Sequence, residues 1–137
     1  MNWHKALEEI HIRNFIPETA SKDSVKRKNA LKLVIGTKIG KDLLKIQKRT
    51  LNRPLLIDVT FRLFKDDNSG SSKKDLDNLL KILFDVLSKN MVNGQESKKG
   101  LGIMIDDSFI HEIKAKKIEV NSKKEQGFDL MISSSLR

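Results

Sequence analysis

The chain has 137 residues, 38% of them hydrophobic, and no cysteine. That is the size of one domain with one core, and it excludes a disulfide framework and thiolate metal sites. Lysine and arginine outnumber aspartate and glutamate by 27 to 18, a net charge of +9. This excess favours polyanionic partners, because cations that neutralise phosphates release condensed counterions; a lysine-rich solvated surface carries the same charge.

The predicted elements run as follows. Residues 7–15 alternate partly, with Ile10 and Ile12 on one side and His11 and Arg13 on the other, and read as a first strand ended by Pro17. A helix is expected over 24–49, where Leu31, Val34, Ile35, Ile39 and Leu43 recur at helical spacing and lysines crowd the other faces. Gly36 and Gly40 inside it mark either a break or a close approach to a neighbour. After Pro54, the stretch LLIDVTFRLF over 55–64, in which Ile57, Val59, Phe61 and Leu63 alternate with Asp58, Thr60 and Arg62, is the clearest strand. A polar loop, DDNSGSSKK, leads to a second helix over 77–88 with Leu79, Leu80, Leu83 and Leu87 on one face. Residues 90–100 form a long polar connection of the kind that is often functional or mobile. The apolar run 101–105 ends in Asp106 and Asp107, a strand follows over 109–120, and a last short one over 128–132. The order strand, helix, strand, helix, strand, strand specifies a single α/β (α+β) domain, a small mixed β-sheet with two main helices.

Chemistry concentrates in KKDLDNLLKILFD, residues 73–85. Residues i and i+2 of extended backbone point the same way, whereas on a helix they are about 200° apart. Asp75 and Asp77 therefore face one cation only if Asp75 precedes the helix, with Asp77 as N-cap or first-turn residue. Capping the helix start is the competing use for such an aspartate. Lys81 and Asp85 follow at four-residue steps from Asp77, suited to an exposed salt-bridge ladder or to placing an ammonium beside a bound phosphate. Asp106 and Asp107, at the end of a buried run, need solvent, a lysine or a metal. If that run is a strand, only one of them enters a given site. Oxygen ligands without cysteine point to Mg²⁺ or Mn²⁺. His4, His11 and His111 have no ligand spacing.

KKDLDNLLKILFDVL followed by IDDSFIHEIKAKK resembles the signature of the RusA family of Holliday junction resolvases, over about residues 73–117. The resemblance implies a homodimeric, Mg²⁺- or Mn²⁺-dependent crossover junction endodeoxyribonuclease acting in DNA recombination and repair. Such an enzyme cuts four-way DNA by paired nicks. Its metal-binding acids fall on Asp75, Asp77 and Asp107, with Asp106 beside them, and its catalytic lysine on Lys81. The later strand lysine falls on Lys117, with Lys114 and Lys116 close by. Lys73, Lys74, Lys98 and Lys99 join the strand lysines as expected phosphate contacts. The chain departs from the family pattern in its longer 90–100 connection, in Phe109 where glutamine is frequent, and in lacking a proline-rich N-terminal loop.

Two other functions fit the same sequence: a nuclease acting on other branched DNA, and a non-catalytic basic DNA-binding protein whose acids are only caps. No apolar run approaches the roughly 20 residues that span a bilayer, and the opening MNWHKALEEI lacks the apolar stretch of a signal peptide. An intracellular, cytoplasmic and nucleoid-associated protein, with no membrane partner, is expected.

Overall fold

The computed structural model describes residues 2–19, 24–65, 74–92 and 95–135. Residues that alternate from Ile57 to Leu63 give β2 (Leu55–Phe64), which sits inside a four-stranded sheet. Its neighbours are β1 (Trp3–Arg13), β3 (Ile110–Val120) and β4 (Gly127–Ser135), in the order β1-β4-β2-β3. β4 runs antiparallel to β1 and β2, and β3 runs parallel to β2, so the sheet is mixed as expected.

Leu55, Ile57, Val59, Phe61 and Leu63 share one core with three helices, α1 (Ser24–Ile39), α2 (Leu43–Thr50) and α3 (Leu76–Leu87). α1 contributes Leu31, Ile35 and Ile39, and α3 contributes Leu79, Ile82, Leu83, Val86 and Leu87. Burial of each such side chain stabilises the fold by about 1.5–3 kcal/mol. No helix among the described residues is long and apolar enough to cross a membrane.

Several boundaries differ from the sequence reading; the last strand, expected over 128–132, runs Gly127–Ser135. The helix expected over 24–49 is interrupted by a 3₁₀ turn, Gly40–Asp42, because Gly40 takes φ 59°, a left-handed conformation that no α-helix accommodates. Gly36 stays helical, and a Cβ there would meet Leu101 at an ordinary 3.7 Å. β1 begins earlier than expected. Register shifts between Lys5 and Leu7 and between Leu7 and Ile10 turn the consecutive Ala6 and Leu7 both inward, which hides the alternation. The apolar run 101–105 is not a strand; its role emerges at the end of α3.

On the opposite face of the sheet, Asp129 gathers basic side chains: His11 Nδ1 lies at 2.7 Å, Arg13 at 2.8 Å and Arg62 at 3.8 Å. Burial pushes this carboxyl up, but the hydrogen bonds from His11 and Arg13 outweigh it and hold it below its ordinary value. A depressed folded-state value means stability that is complete above the unfolded carboxylate range, near pH 4, and is lost as pH falls through the folded value. His11 and Arg13 are substantially exposed, so the contribution is about 1 kcal/mol. Urea denaturation of Asp129→Asn is expected to show that deficit at pH 6, narrowing below pH 4. A deficit constant with pH would assign it to packing.

Candidate active site

Asp75 has extended backbone (φ −78°, ψ 139°) and precedes α3, whose first turn holds Asp77. The geometric condition for a shared cation is met on the Asp75 side. Asp75, not Asp77, occupies the N-cap position: its carbonyl accepts from Leu79 N at 3.1 Å, while its carboxylate caps nothing. Asp77 and Lys81 are exposed. Among the described residues the side chains of Asp75, Asp77 and Lys81 have no hydrogen-bond or ion-pair partner. The ladder through Lys81 to Asp85 does not form, because Asp85 pairs instead with Lys28 of α1 at 2.9 Å.

The backbone leading into α3 is lashed down by two lysines. Lys74 Nζ donates to the Pro17 carbonyl at 2.6 Å and lies 3.8 Å from Glu18. Lys117 Nζ donates to the Lys74 carbonyl at 2.8 Å. Register separates the three strand lysines. Lys117 lies opposite Phe61 on the helix-bearing face, whereas Lys114 and Lys116 lie opposite Asp58 and Thr60 on the other and are exposed. Lys73 lies outside the described residues.

The second acidic pair belongs to the other end of α3. The last four carbonyls of a helix lack intrahelical partners; here Ser88 serves those of Phe84 and Asp85, and the run 101–105 serves those of Val86 and Leu87. Leu101 N donates to Val86 O at 2.7 Å, Ile103 N to Leu87 O at 2.9 Å, and Met104 N to Leu87 O at 3.2 Å. α2 fixes the run from its other side through Gln47 Nε2 to Leu101 O (2.9 Å) and Thr50 Oγ1 to Ile103 O (2.6 Å). The chain then turns through a 3₁₀ element, Asp107–Phe109, into β3. Asp106 caps that turn, accepting from both the backbone N–H (2.9 Å) and the hydroxyl of Ser108, and these hydrogen bonds hold its carboxyl below the ordinary value. Asp107 is exposed and its carboxylate has no partner among the described residues. Asp106 is thus committed as a cap while Asp107 is not, and because the run is not a strand the two are not turned to opposite faces. A cleft of about 450 Å³ contains both, together with Asp85, Ser88 and Asn90.

The connection over 90–100, read as a loose loop, is anchored over its described residues. Met91 N donates to Lys98 O at 2.7 Å and Gly100 N to Lys89 O at 2.9 Å. The buried Lys28 donates to Met91 O at 3.0 Å, and Lys32 to Lys99 O at 2.8 Å. Lys98 and Lys99 remain exposed. Lys28, which the sequence reading passed over, has its signal in spacing: 28, 31, 35 and 39 form one stripe, and a lysine among three core residues needs a buried partner.

The expected metal ligands thus fall into two groups. The ten steps of helix from Asp75 to Asp85 rise about 15 Å, and Asp107 shares its cleft with Asp85. Because the run before Asp107 is the cap of α3, the two groups are held at opposite ends of one rod. Among the described residues, no three His, Cys, Asp or Glu side chains form a group able to hold a metal ion. Asp75 and Asp77 alone suit part of a Mg²⁺ site, since that ion is commonly held by one or two carboxylates, waters and substrate phosphate; the donor set of three acids is not assembled within one chain. No protein-family model, curated protein or solved structure matches this chain.

Proposed function

We propose that the chain is a Mg²⁺- or Mn²⁺-dependent DNA endonuclease that works as a two-fold dimer on four-way junctions, in DNA recombination and repair. The observation that carries this reading is the Asp75 carboxylate: it occupies a capping position without capping, beside Asp77 and Lys81, both also uncommitted. Each centre would be completed across the dimer, Asp75 and Asp77 of one protomer meeting Asp107 of the partner subunit. A two-fold axis near the middle of α3 exchanges the ends of that helix, and a junction needs two equivalent nicks. In this arrangement Lys81 faces the scissile phosphate and offsets developing charge, while Lys98, Lys99, Lys114 and Lys116 hold flanking backbone; the Lys74 ammonium, expected there too, is committed to Pro17 and Glu18.

The deciding experiment is cleavage of a four-way junction with and without Mg²⁺, paired with light scattering. Paired nicks that need the metal, from a dimer, support the proposal. A particle that stays monomeric on junction DNA, or one that binds without cutting, overturns it. The separation of the acids favours the rival reading of a non-catalytic DNA-binding protein, and the second outcome would establish that. Cutting of flaps but not junctions would instead assign a different branched substrate.

Lys81→Ala is expected to slow cleavage about a hundredfold with an unchanged melting temperature. Lys81→Arg should restore only part of the rate, because a planar fork replaces a point charge. Single-turnover rates provide the check, and wild-type cleavage by Lys81→Ala would return this lysine to the solvated surface.

A further inference from the structure

One large cavity lies outside the acidic groups. It has a volume of about 560 Å³ and opens between α1, α3 and the segment that follows β1, within the range of roughly 300–1,000 Å³ typical of ligand pockets. Its walls include Phe15, Ile16, Leu31, Leu79 and Phe128, and its polar lining includes Asn14 and Lys26. Phe15 stands edge-on to Phe128, with centroids 6.0 Å apart.

The cavity adjoins the Asp75 end of α3 on two sides. Leu79 lies one helical turn beyond Asp75, its N–H donating to the Asp75 carbonyl. Pro17 and Glu18, also in the wall, are the two residues that Lys74 grips. At the mouth, Asn14 is held at φ 56°, a conformation that asparagine tolerates but that is uncommon outside glycine. Its backbone N–H is tied to the Lys124 carbonyl at 3.1 Å. Among the described residues its side-chain amide has no partner, and neither has the exposed Lys26.

We propose that this cavity receives a single unstacked nucleobase from the branch point, next to the phosphate presented to Asp75 and Asp77. The proposal rests on the nuclease reading. An aromatic and aliphatic wall accepts the face of any base, the Asn14 amide offers both a donor and an acceptor to a base edge, and Lys26 matches the attached phosphate. A base at a branch point has already lost part of its stacking, so extruding it costs less than extruding one from continuous duplex. The cavity would thereby select branched over linear DNA without reading sequence.

The test uses the full chain and junctions carrying 2-aminopurine at successive positions around the branch point, with Ca²⁺ replacing Mg²⁺ to suppress cutting. The expected result is a several-fold fluorescence rise at one position on binding wild-type protein, absent with Ala30→Phe, which fills the cavity from α1. Phe15→Ala should weaken junction binding about tenfold and duplex binding much less. Lys26→Glu, a surface change that leaves the core intact, should show the same junction-selective loss if Ala30→Phe fails to fold. Junctions that are bound and cut with no 2-aminopurine response, or cut at the wild-type rate by Ala30→Phe, would overturn the base pocket and leave the nuclease standing. Absence of junction binding by wild-type protein would overturn both. Thermal stabilisation by decanoate, with no junction response, would assign the cavity to apolar acids and equally overturn the proposal.

Discussion

Mixing Asp75→Asn with Asp107→Asn protein is expected to restore junction nicking that neither variant shows alone. If each centre takes Asp75 and Asp77 from one protomer and Asp107 from the other, the mixed dimer gathers both substitutions into one centre and leaves the second intact. A one-to-one mixture that has exchanged subunits should then carry roughly a quarter of the wild-type centres. It should nick one strand of a junction per dimer without resolving it. Each single variant should bind junctions as well as wild type or better, since removing an acid from a phosphate surface removes repulsion. If the centre lay within a single chain, every protomer in the mixture would carry one lesion and no activity would return. Nicking assays on supercoiled cruciform plasmid separate these outcomes, because one nick relaxes the plasmid and two opposed nicks linearise it.

The second large effect is expected at Gly100. A Cβ placed there would lie 2.0 Å from Ser88 O and 2.7 Å from Val86 O, both backbone atoms at the end of α3, so a flexible side chain cannot yield to make room. Gly100→Ala should therefore pull the run 101–105 away from the helix and break the hydrogen bonds from Leu101 and Ile103 to Val86 and Leu87. The expected cost is about 3 kcal/mol or more, above the usual range for overpacking because the clash is with backbone. Urea denaturation measures it. Hydrogen exchange should show the loss of protection confined first to Leu101, Ile103 and the last turn of α3, with the Asp75 end unaffected. A stability change within about 0.5 kcal/mol would mean that the run shifts without strain and that Asp107 is not fixed by it.

The sequence was most legible where one residue period held without interruption. The alternation of 57–63 and the leucine spacing of 76–87 gave β2 and α3 within a residue or two, because in each one face is more deeply buried than the other. Legibility failed where a local irregularity broke the period, as in the bulged start of β1; at Gly40 the sequence offered a break or a close approach without deciding between them. It failed too where an element is defined by its partner: Ser133, Ser134 and Ser135 are buried in β4 although nothing in three serines announces a strand. The acidic residues were legible one at a time, as was the helix start that separates Asp75 from Asp77. Their distribution over the two ends of α3 was not, since sequence distance gives no direction in space and the cap formed by 101–105 reads as a buried strand. Lys81 shows the same limit: its spacing to Asp77 and Asp85 suits a ladder, and only the position of Lys28 on α1 removes Asp85 from it.

The placement of β4 has a consequence for biosynthesis. This strand, Gly127–Ser135, lies between β1 and β2, so these two strands are not neighbours and neither gains its β4 partner until almost all of the residues described here have been made. Until then β1 and β2 each present an open edge along which another chain can align. Assembly of the sheet therefore waits on β4 and is dominated by contacts distant in sequence, a topology that folds slowly. Such a nascent chain has a prolonged need for protection from its neighbours on the same message.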